Sequence, residues 1–69
     1  MAKSGMDKKI RECTRVVNYW HKNPDKSGAA QAKAYFAKAL RSHLAYIKES
    51  GEQIRPEVLA AAERALQKA

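Results

Sequence analysis

The chain has 69 residues, and its 14 Lys and Arg residues outnumber seven Asp and Glu residues, giving a formal net charge of +7 at pH 7. This length leaves room for one small domain, residues 1–69, and excludes a large apolar core. A single cysteine excludes an internal disulfide, and the longest apolar run, residues 58–62, is far short of the roughly 20 residues that cross a bilayer. No apolar leader-like segment follows Met1, so the sequence predicts a cytoplasmic protein without a membrane partner.

The first predicted helix covers residues 4–22. Ser4 and Asp7 have the spacing of a capping box at its start. Apolar residues then recur in alternating steps of four and three, which is typical of a helix that packs along one seam against another helix. These residues are Met6, Ile10, Cys13, Val17 and Trp20. Pro24 predicts the end of the helix, because a proline cannot continue a helix interior.

The second predicted helix covers residues 25–50, with its start open between residues 25 and 29. Gly51 follows it in the position that helix-terminating glycines favour. Asn23 and Ser27 are alternative caps for its start, and the sequence leaves both open. The apolar face of this helix consists of Ala29, Ala32, Phe36, Leu40, His43 and Ile47. The two predicted helices should form an antiparallel hairpin, because the connection between them is short.

Two sets of residues lie beside the apolar face of the second helix. Successive residues of a helix are separated by about 100°. One shoulder is therefore formed by Tyr35, Ala39 and Tyr46. The opposite side collects Lys38, Arg41 and Lys48. The second helix is thus predicted to carry aromatic groups on one side and positive charge on the other.

The third predicted helix covers residues 55–68. Leu59, Ala62 and Leu66 form its predicted inner face, and its many alanines predict a lid or arm rather than a part of the core. The fold is thus predicted to be all-α, a helical hairpin plus a short third helix. The apolar surfaces of the first two helices exceed what one hairpin can cover, so a homodimer is expected.

No pattern of catalytic or metal-binding residues accompanies these helices. Cys13 and His43 lie on apolar faces that could meet, but a thiol in an apolar seam stays protonated and inert. The soft or borderline ligands, which also include His21, lack a paired spacing such as CxxC or HxxxH. The three glycines are isolated, which excludes a phosphate loop. The sequence therefore predicts a protein that is not an enzyme and that needs no cofactor or metal.

A partner-binding surface is the function that the remaining residues indicate. Tyrosine, tryptophan and arginine dominate the hot spots of protein interfaces. The predicted contact residues are Tyr35, Tyr46 and Arg41, followed by Lys38 and Tyr19. This set predicts that the partner is another protein.

Nucleic acid is the alternative partner. Clustered positive charge attracts phosphate whatever the base sequence. The second helix supplies Lys33, Lys38, Arg41 and Lys48 for such an attraction. A helix–turn–helix reader is not expected, because Glu57 and Glu63 on the third helix would repel phosphate.

The layout resembles a family of short early proteins of temperate bacteriophages that redirect their host, among them anti-quorum-sensing proteins. The resemblance spans the whole chain and rests on its length, on the helix–NPDKSG–helix arrangement around residues 23–28, and on the basic, tyrosine-bearing second helix. It implies a small helical dimer in the host cytoplasm that inhibits a LuxR-type transcriptional activator, a type IV pilus assembly ATPase, or both. It includes no specific motif and therefore assigns no site residues.

Overall fold

A computed structural model describes residues 5–68, which form three α-helices. They are α1 (Gly5–Lys22), α2 (Ala29–Ser50) and α3 (Pro56–Lys68). No strand occurs within these residues, so the predicted all-α class is confirmed. None of the three described helices is both long enough and apolar enough to cross a lipid bilayer.

The three helices are held together by two neighbouring apolar clusters. The first cluster consists of Ile10, Leu40, Ile47, Val58 and Ala62. The second consists of Val17, Ala37 and Ala65. Because Val17 meets the first half of α2 and Ile10 meets its second half, α1 and α2 are antiparallel. By the same reasoning, α3 runs parallel to α1.

The third helix belongs to the core, and its expected role as a lid was wrong. Val58, Ala62 and Ala65 of α3 are all buried, and α3 packs mainly against α1. Alanine has a small side chain, so the two helices approach closely and even a weakly apolar sequence becomes buried. One consequence is that a single chain covers Ile10 and Leu40 completely.

The buried faces of α1 and α2 differ in detail from the predicted ones. On α2, Ala37 is only 3 % exposed, whereas Phe36 and His43 are half-buried. On α1, Thr14 is only 7 % exposed, and its hydroxyl donates a hydrogen bond to the carbonyl oxygen of Ile10 at 2.7 Å. A threonine can be buried here because its only donor is satisfied within its own helix.

The connection between α1 and α2 determines where the second helix begins. The helix begins at Ala29, the last residue of the predicted range for its start. Neither predicted cap operates: Asn23 donates its side-chain amide to the carbonyl oxygen of Tyr19 at 2.8 Å, so it terminates α1. The N-cap is Gly28, with φ of 78° and no side-chain cap. Backbone turns occupy residues 23–28 instead of helix.

The connection between α2 and α3 follows the prediction more closely. Gly51 has φ of 76° and donates its N–H to the carbonyl oxygen of Ile47 at 2.9 Å. The third helix begins at Pro56, one residue after the predicted start. The predicted Ser4 cap of α1 lies outside the described residues. Its predicted companion Asp7 accepts hydrogen bonds from Arg11 and Arg55, at 2.9 and 3.1 Å, and so joins α1 to the start of α3.

Candidate interaction surfaces

The large apolar side chains that remain exposed are the three tyrosines. Tyr35 is 67 % exposed, Tyr46 is 49 % exposed and Tyr19 is 46 % exposed. Among the described residues, no other large apolar side chain is as exposed. Aromatic rings that the core does not use are candidates for contact with a partner.

Tyr35 and Tyr46 lie on the same flank of α2, which we call the tyrosine flank (Tyr35, Ala39 and Tyr46). They are three helical turns apart, which corresponds to about 16 Å along the axis. The ring of Tyr35 packs edge-to-face on Phe36, with 5.0 Å between ring centroids. Phe36 is half-buried and packs against the second apolar cluster. The exposed ring of Tyr35 therefore contacts a ring that the core holds in place.

Tyr46 has a second connection that Tyr35 lacks. A hydrogen bond to the carboxylate of Glu52 raises the pKa of the Tyr46 phenol, and the negative charge of Glu52 acts in the same direction. Glu52 lies in the connection between α2 and α3. Tyr46 also lines a cavity of about 480 Å³ beside Lys9 and His43. Tyr46 therefore combines an exposed surface with a structural contact, and nothing in the sequence pattern indicated its bond to Glu52.

Arg41 and Lys38 lie away from the tyrosine flank. Arg41 is exposed on α2, where it lines a cavity of about 310 Å³ beside Trp20 and a second cavity of about 460 Å³ between α2 and α3. Lys38 is exposed on the outer side of α2. The predicted contact residues of α2 are therefore distributed around the helix, and a partner that touched all of them would have to wrap it.

Tyr19 belongs to a different surface. It lies on α1 and packs edge-to-face on Trp20, with centroids 5.1 Å apart. The Lys26 ammonium is 5.9 Å from the ring centroid of Tyr19. Tyr19 lines a cavity of about 550 Å³ between residues 11–22 of α1 and residues 57–61 of α3, which we call the α1–α3 groove. The structure thus separates Tyr19 from Tyr35 and Tyr46.

Trp20 is more accessible than the seam of α1 suggested. It is half-buried and lines the cavity of about 310 Å³ together with Ala30 and Ala34 of α2. The position of Trp20 in the last turn of α1 explains this exposure, because fewer neighbours surround the end of a bundle than its middle. The sequence places Trp20 two residues before the predicted end of the helix, and this position indicates a ring that is only partly buried.

The candidate catalytic residues show no activated geometry. Burial raises the pKa of the Cys13 thiol, and the nearby charge of Glu12 raises it further, so the thiol stays protonated at neutral pH. His43 is half-buried and lines the same cavity as Tyr46. Within residues 5–68, no three His, Cys, Asp or Glu side chains are placed to hold a metal ion together.

Comparisons with known proteins give no match to this chain among family models, curated proteins or solved structures. The resemblance to early bacteriophage proteins therefore stays a prediction, which these comparisons neither extend nor contradict. The exposed side chains and their surroundings are the basis for the function proposed below.

Proposed function

We propose that this protein binds another protein stoichiometrically and thereby inhibits or adapts it, without catalysing a reaction. One observation carries the proposal: Tyr35 is 67 % exposed although it is a large aromatic residue in a chain with few of them. Tyrosine supplies a large contact area at low cost in side-chain entropy. The edge-to-face contact with Phe36 favours this role further, because it holds the ring in place before a partner arrives.

The tyrosine flank is the proposed centre of the interface. Tyr35 is its anchor and Tyr46 extends it by three turns. The cations Lys38 and Arg41 lie at its rim or beyond, where charge mainly accelerates association and selects acidic partners. Because a rim charge stays hydrated, its removal should affect the association rate more than the dissociation rate.

The class of target follows from the resemblance to early bacteriophage proteins. A LuxR-type quorum-sensing activator and a type IV pilus assembly ATPase are the proposed targets, in the cytoplasm of a bacterial host. The small size, all-α fold and positive charge of the chain are compatible with such a role.

A homodimer is part of the proposal. The apolar faces of α1 and α2 do not by themselves require a second copy, because α3 covers much of them. The remaining support is the half-buried Trp20 beside the exposed small residues Ala30 and Ala34. Small residues let two helices approach closely, so we place the dimer contact at this part of α2.

A capture experiment tests the proposal. Tagged wild-type protein is incubated with nuclease-treated bacterial lysate, in parallel with Tyr35→Ala and with Gln67→Ala, an exposed position on α3 that serves as the control. We expect one or a few proteins to be retained by the wild type and by Gln67→Ala and to be lost with Tyr35→Ala. Equal retention by all three variants would remove the tyrosine flank from the interface.

Nucleic-acid binding is the second candidate function. Lys38, Arg41 and Lys48 are exposed on α2, and none of them forms an ion pair with a carboxylate of residues 5–68. Binding through phosphate should weaken by orders of magnitude between about 50 and 200 mM salt, because counterions are released. Sub-micromolar affinity for random duplex DNA at physiological salt would favour this second function over the first.

A further inference from the structure

The α1–α3 groove combines an apolar floor with a positively charged rim. Thr14 and Val58 are buried at its floor, and Ala61 is half-buried beside them. The Thr14 hydroxyl is already bonded to the backbone of α1, so it has no spare proton to donate. The floor therefore suits apolar side chains better than it suits a polar ligand.

The rim of this groove is formed by exposed cations of α1. Arg11, Arg15 and Lys22 follow at intervals of four and seven residues, which places them along one flank of the helix. Arg11 is paired with Asp7. In contrast, Arg15 and Lys22 form no ion pair with any carboxylate of residues 5–68. Lys22 lies in the last turn, where it offsets the helix dipole. Arg15 lies mid-helix and lines an adjacent cavity with Glu12, with which it forms no ion pair.

The third helix extends the positive rim on the other side of the groove. Glu57 and Ala61 line the groove, and Arg64 and Lys68 continue their flank of α3 at helical spacing. Two contacts between α1 and α3 join residues that are 48 positions apart in the sequence. They are the ion pair of Asp7 with Arg55 and the packing of Val17 with Ala65 in the second apolar cluster. Since α1 and α3 are parallel in this constant register, Arg64 and Lys68 lie level with the stretch between Arg15 and Lys22.

The groove therefore has a gradient of charge along its length. At one end, Asp7 and Glu57 balance Arg11 and Arg55. At the other end, the exposed cations of both helices are without an acidic neighbour in the groove. Tyr19 forms an aromatic wall at this positive end.

We infer that the α1–α3 groove binds an acidic, amphipathic helical segment of a partner protein. Its apolar side chains would rest on Thr14, Val58 and Ala61, and its carboxylates would meet Arg15 and Lys22. The groove spans residues 11–22 of α1, which corresponds to about 16 Å, or three turns of a bound helix. A phosphate backbone fits less well, because it would leave the apolar floor unused and would meet Glu57 at one end.

This inference adds a second surface to the proposed function, and separate variants test the two surfaces. The probe is a fluorescein-labelled helical peptide of about 15 residues, with Leu on one face and Glu beside it. The comparison peptide carries Gln in place of every Glu, and a random duplex DNA of similar length is the third probe. Affinity is measured by fluorescence anisotropy for the wild-type protein and for each variant.

The informative variant is Arg15→Glu/Lys22→Glu, and its matched control is Lys9→Glu/Lys48→Glu, which changes the net charge equally at exposed positions outside the groove. We expect the first pair to weaken binding of the acidic peptide at least about tenfold and the second pair to weaken it less than about threefold. Arg15→Gln/Lys22→Gln should also weaken binding, without introducing repulsion into the fold. Tyr35→Ala should leave the affinity unchanged.

Nuclear magnetic resonance identifies the residues that the acidic peptide contacts, in addition to the affinity measurements. In ¹⁵N-labelled wild-type protein, the amide signals of Thr14, Val58 and Ala61 should shift on addition of the acidic peptide. Equal weakening by the two double glutamate variants would show attraction by net charge alone and would overturn the inference. The same holds if the Gln peptide binds equally well, if Tyr35→Ala abolishes binding, or if no acidic peptide binds. Tighter binding of the DNA with the same dependence on Arg15 and Lys22 would reassign the groove to phosphate.

Discussion

Tyr35 and Tyr46 share a flank of α2 but differ in what their substitution measures. The Tyr35 ring contacts Phe36 and is otherwise exposed, whereas the Tyr46 hydroxyl bonds to Glu52. Tyr35 is therefore the clean probe of binding. The sequence predicted both residues at the shoulder of α2 from the helical period alone, but it could not reveal the hydrogen bond, because Glu52 lies in an irregular connection.

Truncation of Tyr35 should weaken partner binding without affecting the fold. For Tyr35→Ala we expect a loss of about 1–3 kcal/mol in binding free energy, which is typical of an aromatic hot-spot residue. The thermal melt followed by circular dichroism should stay nearly unchanged. Normal binding by this variant, or loss of its fold, would show that Tyr35 is not the anchor of the interface.

Removal of the Tyr46 hydroxyl should affect stability instead. Tyr46→Phe keeps the ring and deletes the bond to Glu52, so we expect a lower melting temperature with partner binding preserved. Glu52→Gln weakens the same bond and is the companion variant. An unchanged melting temperature for both variants would mean that the bond contributes nothing measurable.

Asp7 gives the stability of the protein a dependence on acidic pH. The hydrogen bond from Arg55 lowers the pKa of Asp7, and Arg11 lowers it further. A carboxylate with a lowered pKa stabilises the fold above its unfolded pKa, near 4, and this contribution disappears as the pH falls through the folded pKa. Asp7→Asn should therefore be less stable than the wild type at pH 7, and the two should converge at acidic pH.

Urea unfolding at pH 7 and at about pH 3 measures this difference. Asp25→Asn is the matched control, since it removes the same charge from an exposed position between α1 and α2. We expect this control to match the wild type at both pH values. A constant gap between Asp7→Asn and the wild type across the pH range would contradict a role for the ionised carboxylate.

The helices themselves were largely predictable, and their ends were less so. The period of apolar residues located all three, and Gly51 marked the end of α2 correctly. The start of α2 was predicted only to within residues 25–29, because Pro24 and Asp25 are also favourable residues for a first helical turn. Asn23 could end α1 or begin α2, and in the structure its side chain bonds to the last turn of α1. Local helix propensity does not decide between these two roles.

Gly51 should tolerate alanine less well than Gly5. It has φ of 76°, so an alanine there would be strained, and we expect Gly51→Ala to lower the free energy of unfolding by about 1 kcal/mol. Gly5 has ordinary helical backbone and open space around it, so Gly5→Ala should leave stability unchanged or raise it. Urea unfolding measures both, and equal effects would argue against strain at position 51.

For the molecule as a whole, the main error of the sequence prediction was the role of α3. Its alanine-rich, weakly apolar sequence predicted a lid or arm, but Ala62 and Ala65 are fully buried within the apolar clusters that join the three helices. The composition of a helix indicates how apolar it is. It does not indicate the distance between that helix and its neighbour in the fold. The surfaces between helices, including the α1–α3 groove, depend on that distance and could not be predicted.

A dimer remains the expected assembly. Light scattering across micromolar concentrations should give twice the 7.7 kDa mass of one chain. Leu40→Asp does not test this expectation, because Leu40 is fully buried within one chain and its substitution should simply unfold the protein. Ala34→Asp, at an exposed position beside Trp20, should give a folded monomer. A wild-type mass equal to one chain would contradict the dimer.

Stoichiometric inhibition of a partner protein is tested most directly by titration. The target retained in the capture experiment is held well above its dissociation constant, and its activity is measured as the wild-type protein is added. We expect inhibition to rise linearly and to stop at a fixed molar ratio that does not change with incubation time. Complete inactivation of the target by a small fraction of that amount would show turnover and would contradict binding without catalysis.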